Sequence, residues 1–166
     1  MESRSKKAAL LGLLIALAFV FSYLEYFLPI PLGIPGVKLG LANLAILVAI
    51  YILSIPEAFF LSVIRLLLVA FTFGNLSAFL FSFAGAALSF LVMIAAKKSK
   101  HFSVMGVSVA GGVAHNIGQI IVAVLILETE ELILYLPVLI LSGLLAGIVV
   151  GLLGGLITNR VRKFSA

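Results

Sequence analysis

"GGVAHNIGQII", residues 111–121, breaks a run of Val, Ile, Ala and Gly with three polar side chains, His115, Asn116 and Gln119. The run extends over about residues 103–127, longer than the roughly 20 residues a bilayer's hydrocarbon core requires. Lipid offers no hydrogen-bond partner at that depth, so each of these groups has to be met by other parts of the protein or by trapped water. The segment therefore predicts a membrane helix with neighbours packed around it.

The rest of the chain agrees. Of its 166 residues, 64% are hydrophobic and 10% charged, with a mean hydropathy of +1.36. A soluble domain is about half apolar and about a quarter charged. The composition thus excludes a soluble domain and predicts an all-α integral membrane protein, one domain over residues 1–166. Cysteine and tryptophan are absent. There are no disulfides to form, which fits a bacterial inner (cytoplasmic) membrane, and any aromatic belt must use Tyr and Phe.

Apolar runs separated by turn-forming or charged residues predict a compact bundle of about six spans, at about 8–28, 39–53, 56–73, 76–96, 103–127 and 132–158. The breaks are "PIPLGIPG" (29–36), "SIPE" (54–57), "FTFGN" (71–75), "KKSKHF" (97–102) and "ETEE" (128–131). The second and third spans are short, and four spans is the alternative count. The first run resembles a signal peptide in its basic start, but "YLEYFLPIP" (23–31) offers no small-residue cleavage site, so it is read as a retained helix.

The net charge of +5 resides in short basic clusters beside the apolar runs: Arg4, Lys6 and Lys7; Lys97, Lys98 and Lys100; Arg160, Arg162 and Lys163. That distribution argues for membrane orientation and against nucleic acid as a partner. With six spans and a cytoplasmic N-terminus, nine of the eleven Lys and Arg fall on the cytoplasmic side, leaving Lys38 and Arg65. The C-terminus is then cytoplasmic and "ETEE" external.

Two runs of small residues recur every four positions and so share a helix face: Ala8, Gly12 and Ala16 in the first span, and Gly143, Gly147, Gly151 and Gly155 in the last. Such faces admit close helix approach. For the last span packing inside the bundle is expected; the first suits either that or docking on a separate membrane partner.

The orientation sets polar groups from several spans at a similar, central-to-outer depth. Arg65 lies near mid-membrane, Asn43 in the outer half of the second span with Lys38 at its mouth, and Glu25 near the outer end of the first. His115, Asn116 and Gln119 share one patch opened by Gly111, Gly112 and Gly118, and Asn75 caps the third span or begins the fourth. One reading pairs Arg65 with Glu25 and uses the amides to tie helices together. The other is a solute pocket in which Arg65, Lys38 and His115 favour an anion while Asn43, Asn116 and Gln119 supply directed hydrogen bonds.

Catalysis finds little support. The sequence has no Asp, its Glu residues are scattered or confined to "ETEE", and prenyl transfer needs clustered carboxylates to hold Mg²⁺ on a diphosphate. No P-loop is present. Without Cys, and with two His, the metal-ligand set is poor; no cofactor or metal is expected.

In architecture the whole chain resembles the substrate-binding membrane subunits of energy-coupling factor transporters, small six-helix proteins. Ala8-x-x-x-Gly12-x-x-x-Ala16 is similar to their docking motif, with Gly12 at the usual second Ala. "PGVKLGLANL" (35–44), "IRLLLVAFTFGN" (64–75) and "GGVAHNIGQ" (111–119) look more specifically like the bacterial Gx transporter family, also labelled heptaprenyl diphosphate synthase component I. The resemblance implies capture of a scarce vitamin- or precursor-like solute from outside. Release would follow when the subunit topples on a transmembrane coupling partner driven by two ATPase subunits. It also implies that "PIPLGIPG" gates the site and "HNIGQ" (115–119) helps to line it. Rival readings are a non-catalytic membrane accessory subunit of an isoprenoid or quinone biosynthetic complex and a prenyl-diphosphate enzyme.

Overall fold

The computed structural model describes residues 4–27 and 40–165. Lys38 and the segment "PIPLGIPG" lie outside the described residues. Among those described there are six α-helices and no strand: α1 (Arg4–Phe27), α2 (Leu41–Ile52), α3 (Ile55–Thr72), α4 (Leu76–Ser99), α5 (Val104–Leu127) and α6 (Leu136–Ser165), with a 3₁₀ turn at Glu130–Tyr135 before α6. All except α2 are long and apolar enough to cross a bilayer.

Local chemistry sets the boundaries. Ser54 begins α3 with a reciprocal cap, its hydroxyl facing the Glu57 amide while the Glu57 carboxylate accepts from the Ser54 N–H at 2.8 Å. Pro56 in the first turn has no N–H to leave unpaired. Ser103 caps α5 through the Gly106 amide at 3.2 Å. Lys100 and Glu128, both left-handed, end α4 and α5.

Helix α2 departs most from the expected spans. Twelve residues at about 1.5 Å each reach roughly 18 Å, against about 30 Å of hydrocarbon. Apart from Asn43 and Tyr51 it is apolar all round, and eight of its residues are buried, as expected for a helix enclosed by others. Its middle lies within the protein, and side chains of other helices complete both ends. At the N-terminus a Glu25 carboxylate oxygen from α1 accepts from the Leu41 N–H at 2.8 Å. At the C-terminus Lys97 of α4 donates to the Ile50 carbonyl and sits 5.0 Å from the Tyr51 ring centroid, while Arg162 of α6 donates to the Tyr51 carbonyl at 3.2 Å. Acid at the positive end and base at the negative end is the arrangement the helix dipole favours.

Antiparallel packing of α4, α5 and α6 forms the other half of the bundle. A Cβ on Gly118 would meet the Ala84 carbonyl oxygen at 2.7 Å, and one on Gly143 the Gly112 carbonyl oxygen at 2.7 Å. On Gly147 and Gly151 it would meet the Val109 and Met105 Cα atoms, each at 2.6 Å. The small-residue face of the last helix is thus spent on α5. Gly12 of α1 has no such neighbour within 4 Å, and Ala8, Gly12 and Ala16 are all exposed. Large apolar side chains such as Phe71, Leu125 and Leu134 cover the outside, as a lipid-facing surface requires.

The contacts also fix the alternation. The C-terminal ends of α2, α4 and α6 meet through Lys97 and Arg162, and the C-terminal ends of α1 and α3 meet through Tyr26 and Phe73, 4.8 Å apart between ring centroids. Nine of the eleven Lys and Arg consequently belong to the end of the bundle where α1 starts and α4 and α6 finish.

Candidate functional site

A cavity of about 150 Å³ lies in the other half of the bundle, remote from the basic clusters. All six helices build it. Helix α1 contributes Ser22, Glu25 and Tyr26; α2 contributes Asn43; α3 contributes Arg65 and Phe73; α4 contributes Phe79 and Ser82; α5 contributes His115, Asn116 and Gln119. Gly143 and Ala146 of α6 close the back. A smaller void of about 20 Å³ shares Gly40, Asn43, Gly112 and Ala146 with it and extends between α2, α4, α5 and α6.

Arg65 is 8% exposed. Its Nη1 donates to the Ser22 hydroxyl at 3.3 Å, and that hydroxyl donates in turn to the Ala18 carbonyl at 2.8 Å. Arg65 Nε has no hydrogen-bond partner among the described residues. Glu25 is near enough for its charge to act on the guanidinium, but the carboxylate hydrogen bond goes to the Leu41 amide. The expected pairing of Arg65 with Glu25 is therefore electrostatic, without a direct hydrogen bond. Gly40, which precedes α2, has φ 73° and no side chain to cap the helix. Glu25 supplies that missing cap from another helix.

Of the eight polar residues singled out in the sequence, six line the cavity: Glu25, Asn43, Arg65, His115, Asn116 and Gln119. Asn75 does not. Its side-chain oxygen accepts from the Ala78 N–H at 2.8 Å and caps α4, a local use that keeps it off the cavity wall. Asn116 has a divided role. It is buried on the wall, yet its amide nitrogen donates to the Leu139 carbonyl at 2.6 Å and faces the Ser142 hydroxyl at 3.4 Å, joining α5 to α6. Asn116→Ala should therefore lower stability by about 1 kcal/mol, the scale of a side-chain hydrogen bond between membrane helices, measurable by unfolding in detergent micelles. His115 and Gln119 lie against Gly85 of α4, where a Cβ would come within 2.7 Å of the Gln119 side chain and 2.8 Å of the His115 carbonyl oxygen.

Sequence reasoning missed Ser22, Ser82, Phe73 and Phe79 on the wall, and the aromatic cluster that gathers around Phe73 beside it. Phe19, Tyr23, Tyr26 and Phe27 recur on one side of α1, and each has its ring centroid within 6.2 Å of that of Phe73. The spacing is visible in the sequence, but an aromatic stripe on a membrane helix reads equally well as lipid-facing. Among the described residues no group of three His, Cys, Asp or Glu could hold a metal.

A family model described as heptaprenyl diphosphate synthase component I matches residues 14–157. Neither a curated protein nor a solved structure matches the chain.

Proposed function

The chain belongs to the heptaprenyl diphosphate synthase component I family, and from that premise we propose that it is a substrate-capture subunit of an energy-coupling-factor-type uptake transporter. The observation that carries this reading is the cavity itself. It has buried Arg65 on its wall together with Glu25, Asn43, His115 and Gln119, drawn from four of the helices around it. A charged group at membrane depth is costly, and a wet or ligand-filled chamber is one of the few settings that sustains it. The basic clusters orient the cavity toward the exterior, with both termini in the cytoplasm of a bacterial cell. The open Ala8-Gly12-Ala16 face would receive the transmembrane coupling subunit, itself driven by two ATPases.

Two measurements test the reading. Native mass spectrometry of the purified protein should find a small molecule bound; a protein that carries none, and takes up none when its partners are supplied, is not a capture subunit. Gly12→Leu should leave that small molecule bound but abolish co-purification with the coupling subunit and lower uptake at least tenfold, because a Cβ at this position meets nothing within 4 Å among the described residues. Normal uptake by this variant would remove α1 as the docking face.

A second reading starts from the name of the family, heptaprenyl diphosphate synthase component I: a non-catalytic membrane accessory subunit of an isoprenoid or quinone biosynthetic complex. It predicts stable co-purification with a synthase and no bound solute. Mg²⁺-dependent prenyl transfer by the purified chain alone would contradict both readings.

A further inference from the structure

We propose that the cavity selects a small monocarboxylate carrying a flat, largely apolar body; this rests on the capture reading and adds the substrate class. Charge gives the first argument. Counting Lys, Arg, Asp and Glu, the described wall holds one cation and one anion, Arg65 and Glu25. A phosphate or diphosphate would bring two or more negative charges to a single guanidinium with a carboxylate nearby. In so enclosed a place the surplus charge would be uncompensated, and that is strongly unfavourable. A single carboxylate leaves the smallest surplus an anion can, and the Leu41 N–H already engages the Glu25 carboxylate, which leaves the guanidinium to the ligand.

Geometry gives the second argument. A guanidinium has five N–H donors in a planar fork, and Arg65 makes one hydrogen bond among the described residues, to Ser22. That bond orients the fork without exhausting it. A carboxylate can take two of the remaining donors at once, which an uncharged group does not match; against phosphate the discrimination comes from charge. Asn43 and Gln119 make no side-chain hydrogen bond to the described residues and both line the cavity, so one polar substituent on the ligand could be met as well.

Size and lining supply the third. About 150 Å³ is the volume at which an apolar protein cavity accepts a single aromatic ring. Tyr26, Phe73 and Phe79 stand on the wall together with Leu66 and Val69. Aromatic faces favour a flat partner, by offset or edge-to-face contact. A long prenyl chain is too large for the space described.

The probes are benzoate, its uncharged counterpart benzyl alcohol, and phenyl phosphate, each added to the full-length protein in lipid nanodiscs while thermal unfolding is followed. Benzoate should raise the unfolding temperature in a dose-dependent way, and the other two should do so at no less than tenfold higher concentration. Arg65→Gln should weaken benzoate binding at least tenfold. Arg65→Lys keeps a cation and guards against misfolding of the first variant; it should weaken binding less, because the charge survives and the fork does not. Phenyl phosphate binding as well as benzoate, benzyl alcohol matching benzoate, or an unchanged benzoate response in both Arg65 variants would overturn the proposal. So would the absence of any response to all three probes. In each of those cases a solute seen by native mass spectrometry leaves the capture reading standing, whereas its absence ends both.

Discussion

Replacing Gly147 with leucine should prevent the bundle from assembling. A Cβ alone at this position would stand 2.6 Å from the Val109 Cα and 3.0 Å from both the Ser108 carbonyl oxygen and the Val109 nitrogen. These are backbone atoms of α5, which cannot rotate aside as a side-chain tip can. Helices α5 and α6 would have to separate, and Gly112 would be drawn away from Gly143 one turn along the same interface. Overpacking, with the off-rotamer side chains and backbone shifts it forces, costs about 1–3 kcal/mol and occasionally more; a whole leucine set against backbone belongs at the upper end. Gly147→Leu is thus expected to lower stability by about 3 kcal/mol, seen as aggregation on extraction or a collapse of the unfolding temperature. Gly155 provides the control. It belongs to the same four-residue repeat, but the nearest atom to its Cβ would be the Val104 Cβ at 4.0 Å, and leucine there should be accepted. Equal effects at the two positions would show that α5 and α6 do not approach as described.

That repeat was legible because a membrane interface needs small residues at helical spacing, and spacing is a property of sequence. The same property set the last helix's small face inside the bundle, without naming α5 as its neighbour, but could not decide the fate of Ala8, Gly12 and Ala16, whose exposure depends on where the other helices lie. The polar wall was legible for a different reason. In a chain that is 64% hydrophobic, Arg65, Asn43 and Gln119 stand out against their surroundings, and their shared depth follows from span order. Asn75 shows the limit: a local hydrogen bond to the Ala78 amide is available immediately and takes the side chain. Ser22 escapes notice because a serine that bonds its own helix at the fourth residue back, as Ser22 does with Ala18, resembles ordinary packing. Lys97 and Arg162 look in the sequence like orientation charges at span ends. Their side chains instead reach the Ile50 and Tyr51 carbonyls, completing the C-terminal end of the short α2. No local pattern encodes that use; it arises when a 12-residue helix is enclosed by longer ones.

The other end of α2 gives the second large effect. Glu25→Ala should destabilise the protein by about 1–2 kcal/mol, the lower part of the cost of an unsatisfied donor, because the Leu41 amide is partly buried. The loss of a carboxylate from the positive end of α2 adds to this. Glu25→Gln separates the two contributions. Its amide oxygen can still accept from Leu41, so most of the helix anchoring should survive while the negative charge beside Arg65 disappears. With α2 in place and the cavity wall more positive, benzoate should bind several-fold more tightly to the glutamine variant than to the wild type. The alanine variant should bind it more weakly, because α2 carries Asn43 and loses its anchor at that end. Unfolding temperature and benzoate titration in nanodiscs read both effects. If glutamine and alanine weaken binding equally, the carboxylate acts on the ligand or on Arg65 directly, and its role as the cap of α2 is secondary. If neither changes stability, the Leu41 amide has another partner and the short helix is held by its basic end alone.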